Sequence, residues 1–286
     1  MILITGGAGF VGRHLVTRLL GQGEEVRVLA RGGAEAGDAN VVQGDIRDLS
    51  ALVSAARGCR AVIHLVGIIR EGAGASFQQV HVGGTRTVVQ ACHEAQVHRL
   101  LHMSALGARP GASSRYHRTK WEAEELVRAS GLGATIFRPS VMFGAGNSFL
   151  AQVRALLHRG PVIPIIGDGT SLVQPIWVED VVSCFVGALA DPDTVGHAYE
   201  LGGPETFGFQ QLLELLAEAE GVDKPKLHLP VWLMRPAVSV LSRLLSRFPL
   251  TSDQLTMLME DNICDITGMR ETFGLEPAPI REQLPD

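Results

Sequence analysis

The sequence has few of the residues that mark disulfide-rich, metal-binding or nucleic-acid-binding proteins. Its four cysteines lie far apart, with no CxxC pair and no Cys/His cluster: Cys59, Cys92, Cys184 and Cys264. We therefore expect buried reduced thiols and no metal site. The net charge of −5 over 286 residues provides no basic field to attract nucleic acid, so we expect no nucleic-acid partner.

Long apolar runs are also missing. No run reaches the ~20 residues that a membrane-spanning helix needs. The nearest candidate, LPVWLMRPAVSVLSRLLSRFPL at 229–250, is interrupted by Arg235, Pro236, Arg243 and Arg247. A strand is predicted from residue 2, which leaves no charged n-region followed by an apolar h-region. We expect a cytoplasmic protein, either free in solution or peripheral to a membrane.

Short apolar runs alternate with helical patterns along the first half of the chain. Strands are predicted at 2–5, 25–30, 41–43, 61–66, 99–104 and 134–137, and helices at 9–20, 49–57, 77–95 and 116–129. This alternation predicts an α/β fold, a Rossmann-type doubly wound parallel sheet, with a small and mostly helical C-terminal substrate lobe.

The pattern loosens after Pro139, where Gly- and Pro-rich stretches are typical of substrate-side loops. A helix is predicted at 178–189, a strand at 198–201, and mostly helices from 209 onward. We predict an NAD(P)-binding domain over 1–160, to which 173–200 return. Residues 161–172 and 201–286 would form the smaller lobe.

The opening MILITGGAGFVGRHL contains closely spaced glycines between a predicted strand and a predicted helix. Gly7, Gly9 and Gly12 match the GxGxxG dinucleotide pattern, and Gly6 offers a related spacing with the same last two glycines. Such glycines allow a tight turn and a close approach of the pyrophosphate to the helix N-terminus. The alternative is a glycine-rich turn that binds nothing.

The second predicted strand ends in VRVLARGG, where NAD-binding sites usually carry an Asp or Glu for the ribose 2′-hydroxyl. Arg31 stands there instead and could pair with a 2′-phosphate, as could Arg13 in the first turn of the first helix. The pattern favours NADP(H) and leaves NAD(H) as the alternative. Arg31 could also be a solvated loop residue.

Tyr116 and Lys120, in SSRYHRTKWEAE, are four residues apart and share a face of a predicted helix. A tyrosine near a nicotinamide can act as a general acid or base if a nearby cation lowers its pKa. Lys120 could supply that cation and bind the nicotinamide ribose. The alternative is a pair of solvated helix residues.

These motifs together resemble the extended or atypical short-chain dehydrogenase/reductase superfamily, of the NAD-dependent epimerase/dehydratase type, over essentially the whole chain. The resemblance implies a phosphate loop in TGGAGFVG, an adenine contact in GDIRD, a cofactor-flanking strand end in VIHLVG and a nicotinamide-side loop in RPSVMFG. The cofactor-binding residues implied are Gly6, Gly9, Phe10, Val11, Gly12, Arg13, Arg31, Asp45, Ile46, Leu65, Val66, Gly67, Lys120, Pro139 and Val141.

Within the superfamily the chain is similar to the branch that contains the nucleotide-binding accessory subunit of mitochondrial complex I and its bacterial relatives. The similar segments are RLLHMSALGA, SRYHRTKWEAE, VQPIWVEDV, YELGGPE and LTSDQLTMLMEDN. This likeness adds a second hypothesis to catalysis, a nucleotide-binding scaffold or redox-sensing module that docks to a partner complex.

Three positions depart from the superfamily pattern. Ser104 occupies the first hydroxyl position after the fifth strand, but Ala105 and Leu106 occupy the later ones. The catalytic serine would be Ser104, or Ser113 or Ser114 in its place, or the site would use no serine. His81 stands where an Asn is usual, as a relay or as a hydrogen-bonded helix residue. Val173 replaces the arginine that grips a sugar-nucleotide diphosphate, which disfavours a sugar-nucleotide epimerase.

The main hypothesis is an NADP(H)-dependent oxidoreductase acting on a small carbonyl or alcohol substrate. Tyr116 would transfer the proton, Lys120 would tune it, and Ser104 would polarise the substrate oxygen. Phe143, Asn147 and Gln174 would line the substrate pocket.

The C-terminal stretch at 229–250 mixes bulky apolar residues with arginines. It would either pack over the substrate pocket or form a docking face for another protein, a membrane surface or a second copy of the chain.

Overall fold

The computed structural model describes residues 1–32, 36–72, 74–146, 148–244 and 250–284. The strands of this part of the chain are β1 (Ile2–Thr5), β2 (Val26–Ala30), β3 (Asn40–Gln43), β4 (Ala61–His64), β5 (Arg99–Met103), β6 (Gly133–Pro139), β7 (Met142–Phe143), β8 (Ile163–Ile166), β9 (Leu172–Val173), β10 (Ile176–Trp177), β11 (Ala198–Leu201), β12 (Phe207–Gly208) and β13 (Lys226–Leu229).

The helices are α1 (Phe10–Gly21), α2 (Leu49–Ala56), α3 (Gly84–Glu94), α4 (Arg115–Arg128), α5 (Ser148–His158), α6 (Val178–Ala190), α7 (Phe209–Ala219), α8 (Val231–Leu244), α9 (Ser252–Leu258), α10 (Thr267–Phe273) and α11 (Ile280–Gln283). A π-helical turn, Gln78–Gly83, leads directly into α3, and a 3₁₀ turn, Pro192–Thr194, precedes β11.

A seven-stranded parallel sheet forms the centre of the molecule, in the order β11-β6-β5-β4-β1-β2-β3. Strands β1 and β4 are buried along their whole length, which explains their continuous apolar character. The predicted doubly wound parallel sheet is confirmed. The strand order reverses between β1 and β4, and in such sheets ligands bind at the carboxyl ends of the strands beside this point.

Helices cover both faces of the sheet. One apolar cluster includes side chains of α1, α6 and α10, and a second includes side chains of α2, α3 and α4. In α1, Val11, Leu15 and Leu19 are buried, and their spacing of four residues places them on one face of the helix. By packing against the sheet through these two clusters, the helices that follow the strands begin at the carboxyl edge of the sheet.

The region after β6 has an apolar cluster of its own. Helices α5 and α7 share it with β8, which pairs in parallel with β13. Strand β13 was not predicted, since the tail from 209 was expected to be mostly helical. In the tail, Met269 of α10 packs back into the first cluster beside the sheet. The predicted domain boundaries stay a prediction.

The predicted helix at 77–95 is instead a π-helical turn followed by α3. Gly83 and Gly84 lie at the junction, and a side chain at Gly84 would collide with the side chain of Ile46. The close approach of Ile46 therefore explains the glycine at position 84. Among the described residues, no helix is both long and apolar enough to span a bilayer.

Candidate functional site

The glycine-rich loop between β1 and α1 has the geometry of a phosphate cradle. Gly6 has a φ of +83°, which favours glycine, and its carbonyl accepts a hydrogen bond of 2.9 Å from Gly9 N. A Cβ at Gly12 would overlap Gly6 O and approach Gly7 Cα to 2.6 Å. The glycines therefore permit the tight turn and the close helix packing that a dinucleotide site needs.

The start of α1 is open to an anion. Its cap residue is Gly9, and no side chain caps the helix or places a carboxylate in its first turn. The first N–H groups of a helix, here those from Phe10 to Gly12, have no intrahelical acceptor. Val11 is buried in the core, so it contributes backbone to this cradle.

The end of β4 lies against the same loop. A Cβ at Gly6 would lie 3.2 Å from Val66, and Leu65 N donates to Thr5 O at 3.0 Å. Leu65 is buried, whereas Gly67 is exposed two residues later. The predicted cofactor residues at the ends of β1 and β4 are thus neighbours.

The two arginines considered for a 2′-phosphate are placed differently. Arg13 Nη2 donates to Gly146 O at 2.8 Å and holds the loop after β7. Arg31 is exposed directly after β2. The hydrogen bond from Arg47 is the main cause that lowers the pKa of the Asp45 carboxyl, and the positive charge of Arg31 contributes. Arg31 is therefore the arginine beside the predicted adenine-side residues.

Asp45 is engaged by a bidentate ion pair. Arg47 Nε and Nη2 each donate to its carboxylate at 2.9 Å. The neighbouring Ile46 is buried against Gly84. An adenine bound at this edge would contact backbone atoms and the Asp45 carboxylate, which is already paired with Arg47.

The Lys120 side chain, on α4, extends to the carboxyl ends of β4 and β5. Its Nζ donates to Met103 O at 2.6 Å, and a Cβ at Gly67 would lie 3.6 Å from the same atom. Burial lowers the pKa of Lys120 to about 8, while the charge of Glu124 acts in the opposite direction. The ammonium group therefore faces the predicted cofactor edge of the sheet.

Tyr116 lies one helical turn before Lys120 in α4. Its ring makes edge-to-face contacts with Phe77, His81 and His117, with centroids 5.4–5.8 Å apart. Burial raises the pKa of Tyr116 to about 12. Lys120 was expected to lower the pKa of Tyr116, but it does not do so in this arrangement. Removal of the phenol from water determines its pKa, and the Lys120 ammonium group binds a backbone carbonyl instead.

The three candidate serines differ in their surroundings. Ser104 is buried, and its hydroxyl has no hydrogen-bond partner among the described residues. Ser114 Oγ caps α4 by accepting from His117 N at 3.1 Å. Ser113 is exposed, and against the effect of burial its hydroxyl adds to the hydrogen bond from Arg109 in lowering the pKa of Glu260. Of the three serines, Ser104 is the one whose hydroxyl could form a hydrogen bond with a bound ligand.

His81 is held by hydrogen bonds on both ring nitrogens. Nδ1 lies 2.9 Å from Thr119 Oγ1, and Nε2 lies 3.0 Å from Ile68 O and 3.1 Å from Ile68 N. Burial, reinforced by the charge of Lys120, lowers the pKa of His81 to about 3. His81 thus connects the π-helical turn to α4 and to the segment after β4, as a neutral residue.

The predicted nicotinamide-side loop is held by a residue from the distant tail. Asn262 Oδ1 accepts from Val141 N at 3.2 Å and lies 2.8 Å from Ser140 Oγ. Asn262 Nδ2 donates to Leu106 O at 3.3 Å. Pro139 O accepts from Leu106 N at 2.9 Å, so the end of β6 and the segment after β5 are joined.

The two predicted substrate-pocket residues in the described part of the chain do not form one polar cluster. Phe143 is buried in the apolar cluster around α5 and α7. Gln174 donates to Gly203 O and accepts from Cys264 N, each at 2.8 Å, so its amide braces the backbone. Asn147 lies outside the described residues. The pocket roles of these residues stay predictions.

Sequence reasoning missed Asp253, which acts on the start of α4. Its two carboxylate oxygens accept from Arg115 N at 2.7 Å and Tyr116 N at 3.0 Å. The Arg115 side chain in turn pairs with Glu71 at 2.8 Å. Asp253 and Asn262 both lie in LTSDQLTMLMEDN, a segment that the resemblance marks without assigning a role to either residue.

Comparison with known proteins agrees with this geometry. The model of the NAD dependent epimerase/dehydratase family matches residues 2–202, which include the central sheet and the Tyr116–Lys120 helix. The chain belongs to the NAD dependent epimerase/dehydratase family. Members of this family are NAD(P)-dependent oxidoreductases, dehydratases and epimerases. The predicted superfamily is therefore confirmed.

Two proteins similar to this chain have different functions by their names. The mitochondrial NADH dehydrogenase (ubiquinone) 1 alpha subcomplex subunit 9 of Arabidopsis thaliana is 32% identical over 74% of this chain and 56% of its own length. The ceramide reductase of Caulobacter vibrioides is 34% identical over 67% of this chain and 62% of its own length. The chain thus spans between half and two thirds of these relatives.

A solved structure of the same type is dTDP-glucose 4,6-dehydratase (DesIV) from Streptomyces venezuelae with NAD bound. It is 27% identical, covers 80% of this chain and 84% of its own, and superposes with a TM-score of 0.67. The glycine cradle and the uncapped start of α1 fit a dinucleotide. The Ser104 hydroxyl, which has no partner among the described residues, fits a substrate that bears an oxygen atom. Within the described residues, no group of three His, Cys, Asp or Glu side chains is arranged to hold a metal.

Proposed function

We propose that this chain is an NADP(H)-dependent oxidoreductase acting on a carbonyl or alcohol group of a small, fairly apolar substrate. One observation carries the proposal. Lys120 Nζ lies beside Gly67 at the cofactor edge of β4, and Tyr116 precedes it by one turn of the same helix. A proton donor and a cation are thereby held next to a phosphate cradle.

The cradle between β1 and α1 would hold the pyrophosphate, Arg31 the 2′-phosphate, and Lys120 the nicotinamide ribose. When bound, the nicotinamide would exchange hydride through its C4 with the substrate carbon. Tyr116 has a pKa of about 12, so it keeps its proton at neutral pH and can donate it to a carbonyl oxygen. The unpaired hydroxyl of Ser104 would donate a hydrogen bond to the same oxygen.

Two observations support an apolar substrate. Val173 is buried in the apolar cluster around α5 and α7, at the position where a diphosphate-binding arginine was considered. The ceramide reductase relative acts, by its name, on a lipid. A sugar nucleotide would leave its diphosphate poorly paired at this position.

The test is NADPH oxidation by the purified full chain, with a panel of ketones of increasing alkyl length. Tyr116→Phe removes the proton donor and is expected to lower kcat by about 10²–10⁴-fold with NADPH affinity unchanged. The matched control is Tyr199→Phe, on β11, where the ring packs against Phe137 and Phe273. Turnover that survives Tyr116→Phe at the Tyr199→Phe level would overturn the assigned chemistry.

A second candidate is a scaffold that holds NADP(H) without turnover. It is favoured by the burial of Ser104, which limits contact of its hydroxyl with a substrate, and by the raised pKa of Tyr116, which disfavours the phenolate needed to accept a proton back. The Arabidopsis relative, a subunit of NADH dehydrogenase by its name, is consistent with that role. NADPH binding with no Tyr116-dependent turnover of any carbonyl in the panel would select the scaffold.

A further inference from the structure

The charge of the chain is unevenly distributed around α8. Residues 224–252 contain five basic residues and no Asp or Glu: Lys224, Lys226, Arg235, Arg243 and Arg247. The whole chain has a net charge of −5, so the remaining residues carry −10. A basic stretch in an acidic protein indicates attraction to an anionic surface.

Most of this charge in the described residues is not neutralised by carboxylates. Lys224 Nζ donates to backbone carbonyls, including Leu157 O at 2.9 Å, and these oxygens carry no net charge. Lys226 pairs with Glu214 at 2.6 Å. Arg235 is exposed on α8. Arg235 is therefore a basic side chain of α8 that faces solvent.

Two apolar side chains close to Arg235 on α8 also face solvent, and a third faces solvent on β13, the strand before α8. Trp232 is 76% exposed and Leu233 48% exposed at the start of α8, and Leu227 on β13 is 49% exposed. On a helix, positions 232, 233, 235 and 236 lie on one side, and Val238 lies on the other. Val238 is fully buried, so α8 is anchored by one face and presents the other outward.

Helix α8 packs against α9, and α9 contacts the start of α4 through Asp253. Val231 and Met259 both approach Gly167, within 3.3 Å and 3.1 Å of a Cβ built there. Met259 directly follows α9, whose Asp253 binds the backbone of Tyr116. A surface that α8 contacts would therefore be close to the candidate site.

We propose that α8 docks the protein on the surface of a bilayer that contains anionic lipid, with Trp232 and Leu233 in the headgroup region and Arg235 on lipid phosphates. Tryptophan suits this interface because its ring is apolar and its N–H is polar, and arginine keeps its charge at the phosphates. The proposal is independent of the proposed reaction, since none of these residues belongs to the nucleotide cradle.

The same features disfavour a protein partner of ordinary size. Stable protein interfaces involve about 20–30 residues on each side, whereas among the described residues the exposed large apolar side chains of this region are Leu227, Trp232 and Leu233. A second copy placed by two-fold symmetry would bring two positive regions together and repel. A lipid surface needs only a few inserted side chains and an opposite charge.

The test is flotation of the full chain with vesicles of phosphatidylcholine alone or mixed with phosphatidylglycerol. The wild-type protein is expected to float with the mixed vesicles and to show little binding to vesicles of phosphatidylcholine alone. Arg235→Glu reverses one charge and is expected to weaken binding roughly tenfold or more. Trp232→Ser combined with Leu233→Ser removes the inserted groups and is expected to abolish binding.

The matched control is Val41→Ser, which removes an exposed apolar side chain on β3 at the far edge of the sheet and should bind vesicles like wild type. NADPH binding by every variant reports folding and stays unchanged. Equal binding by wild type and the Trp232/Leu233 variant overturns the proposal, as does absence of wild-type binding. So does a wild-type dimer in solution that the Trp232/Leu233 variant breaks.

Discussion

Lys120 and Tyr116 lie one turn apart on α4, yet burial shifts their pKa values in opposite directions. Removal from water disfavours each charged form, so the phenol keeps its proton and the ammonium loses its proton more readily. The pair is thereby suited to donating a proton at neutral pH. Arg31, by contrast, is exposed, so its contribution depends on a bound phosphate.

Replacing Arg31 with alanine is expected to weaken NADPH binding about 10- to 100-fold, because charge-assisted hydrogen bonds to a phosphate contribute about 1.5–3 kcal/mol. NADH binding should be unchanged, since NADH has no 2′-phosphate. Titration of both coenzymes by fluorescence measures the difference. Arg86→Ala, an exposed arginine on α3, serves as the control. An equal loss for NADPH and NADH would show that Arg31 does not read the 2′-phosphate.

At the scale of the element, α4 is positioned by residues far away in the chain. Ser114 caps it locally, and Asp253 accepts hydrogen bonds from the N–H groups of Arg115 and Tyr116. A carboxylate also interacts favourably with the positive end of the helix dipole. The tail therefore stabilises the helix that carries the candidate proton donor.

Asp253→Ala removes both hydrogen bonds and is expected to lower the free energy of unfolding by about 1–2 kcal/mol. Amide exchange at Arg115 and Tyr116 should become faster than elsewhere in α4, as hydrogen exchange followed by NMR would show. Asp253→Asn retains one acceptor and should give an intermediate effect. Glu271→Ala, at an exposed position of α10, is the control. Unchanged exchange at these two amides would contradict the assigned role of Asp253.

The sequence predicts elements that have a local signal. Strands such as β1 and β4 are short apolar runs, and the glycines of the phosphate loop lie together between a strand and a helix. Asp253 and Asn262 have no such signal, because their partners lie 137 and 121 residues away. Helical spacing correctly placed Tyr116 and Lys120 on one face, but it does not say that Lys120 Nζ binds Met103 O.

At the scale of the whole molecule, neutral histidines are built into the interior of the sheet. Thr5, His64 and His102 are paired across β1, β4 and β5 in register, and the rings of His64 and His102 lie 5.4 Å apart. Burial lowers the pKa of His64 to about 3 and that of His102 well below its usual range, with Lys120 adding to both shifts. Together with His81, these residues resist protonation in the folded state.

This interior makes stability depend on pH in a defined direction. Unfolded histidines titrate near pH 6.5, so below that pH the unfolded chain binds more protons than the folded chain. Stability is thus complete above about pH 6.5 and is lost as the pH falls toward about 3. Each of these histidines contributes a slope of about 1.4 kcal/mol per pH unit between its folded and unfolded pKa values. Burial also lowers the pKa of His117, which adds to the slope.

Urea unfolding at a series of pH values from about 7 to about 5 measures this slope above the range in which most carboxylates titrate. His81→Asn removes one of these groups and keeps a polar side chain toward Ile68, so the slope should fall by about 1.4 kcal/mol per pH unit. His98→Gln replaces an exposed histidine and should leave the slope unchanged. If His81→Asn and His98→Gln reduced the slope equally, burial would not be the cause of the pH dependence of the free energy of unfolding. The acid sensitivity would then have to come from the carboxylates, and it would appear only below about pH 5.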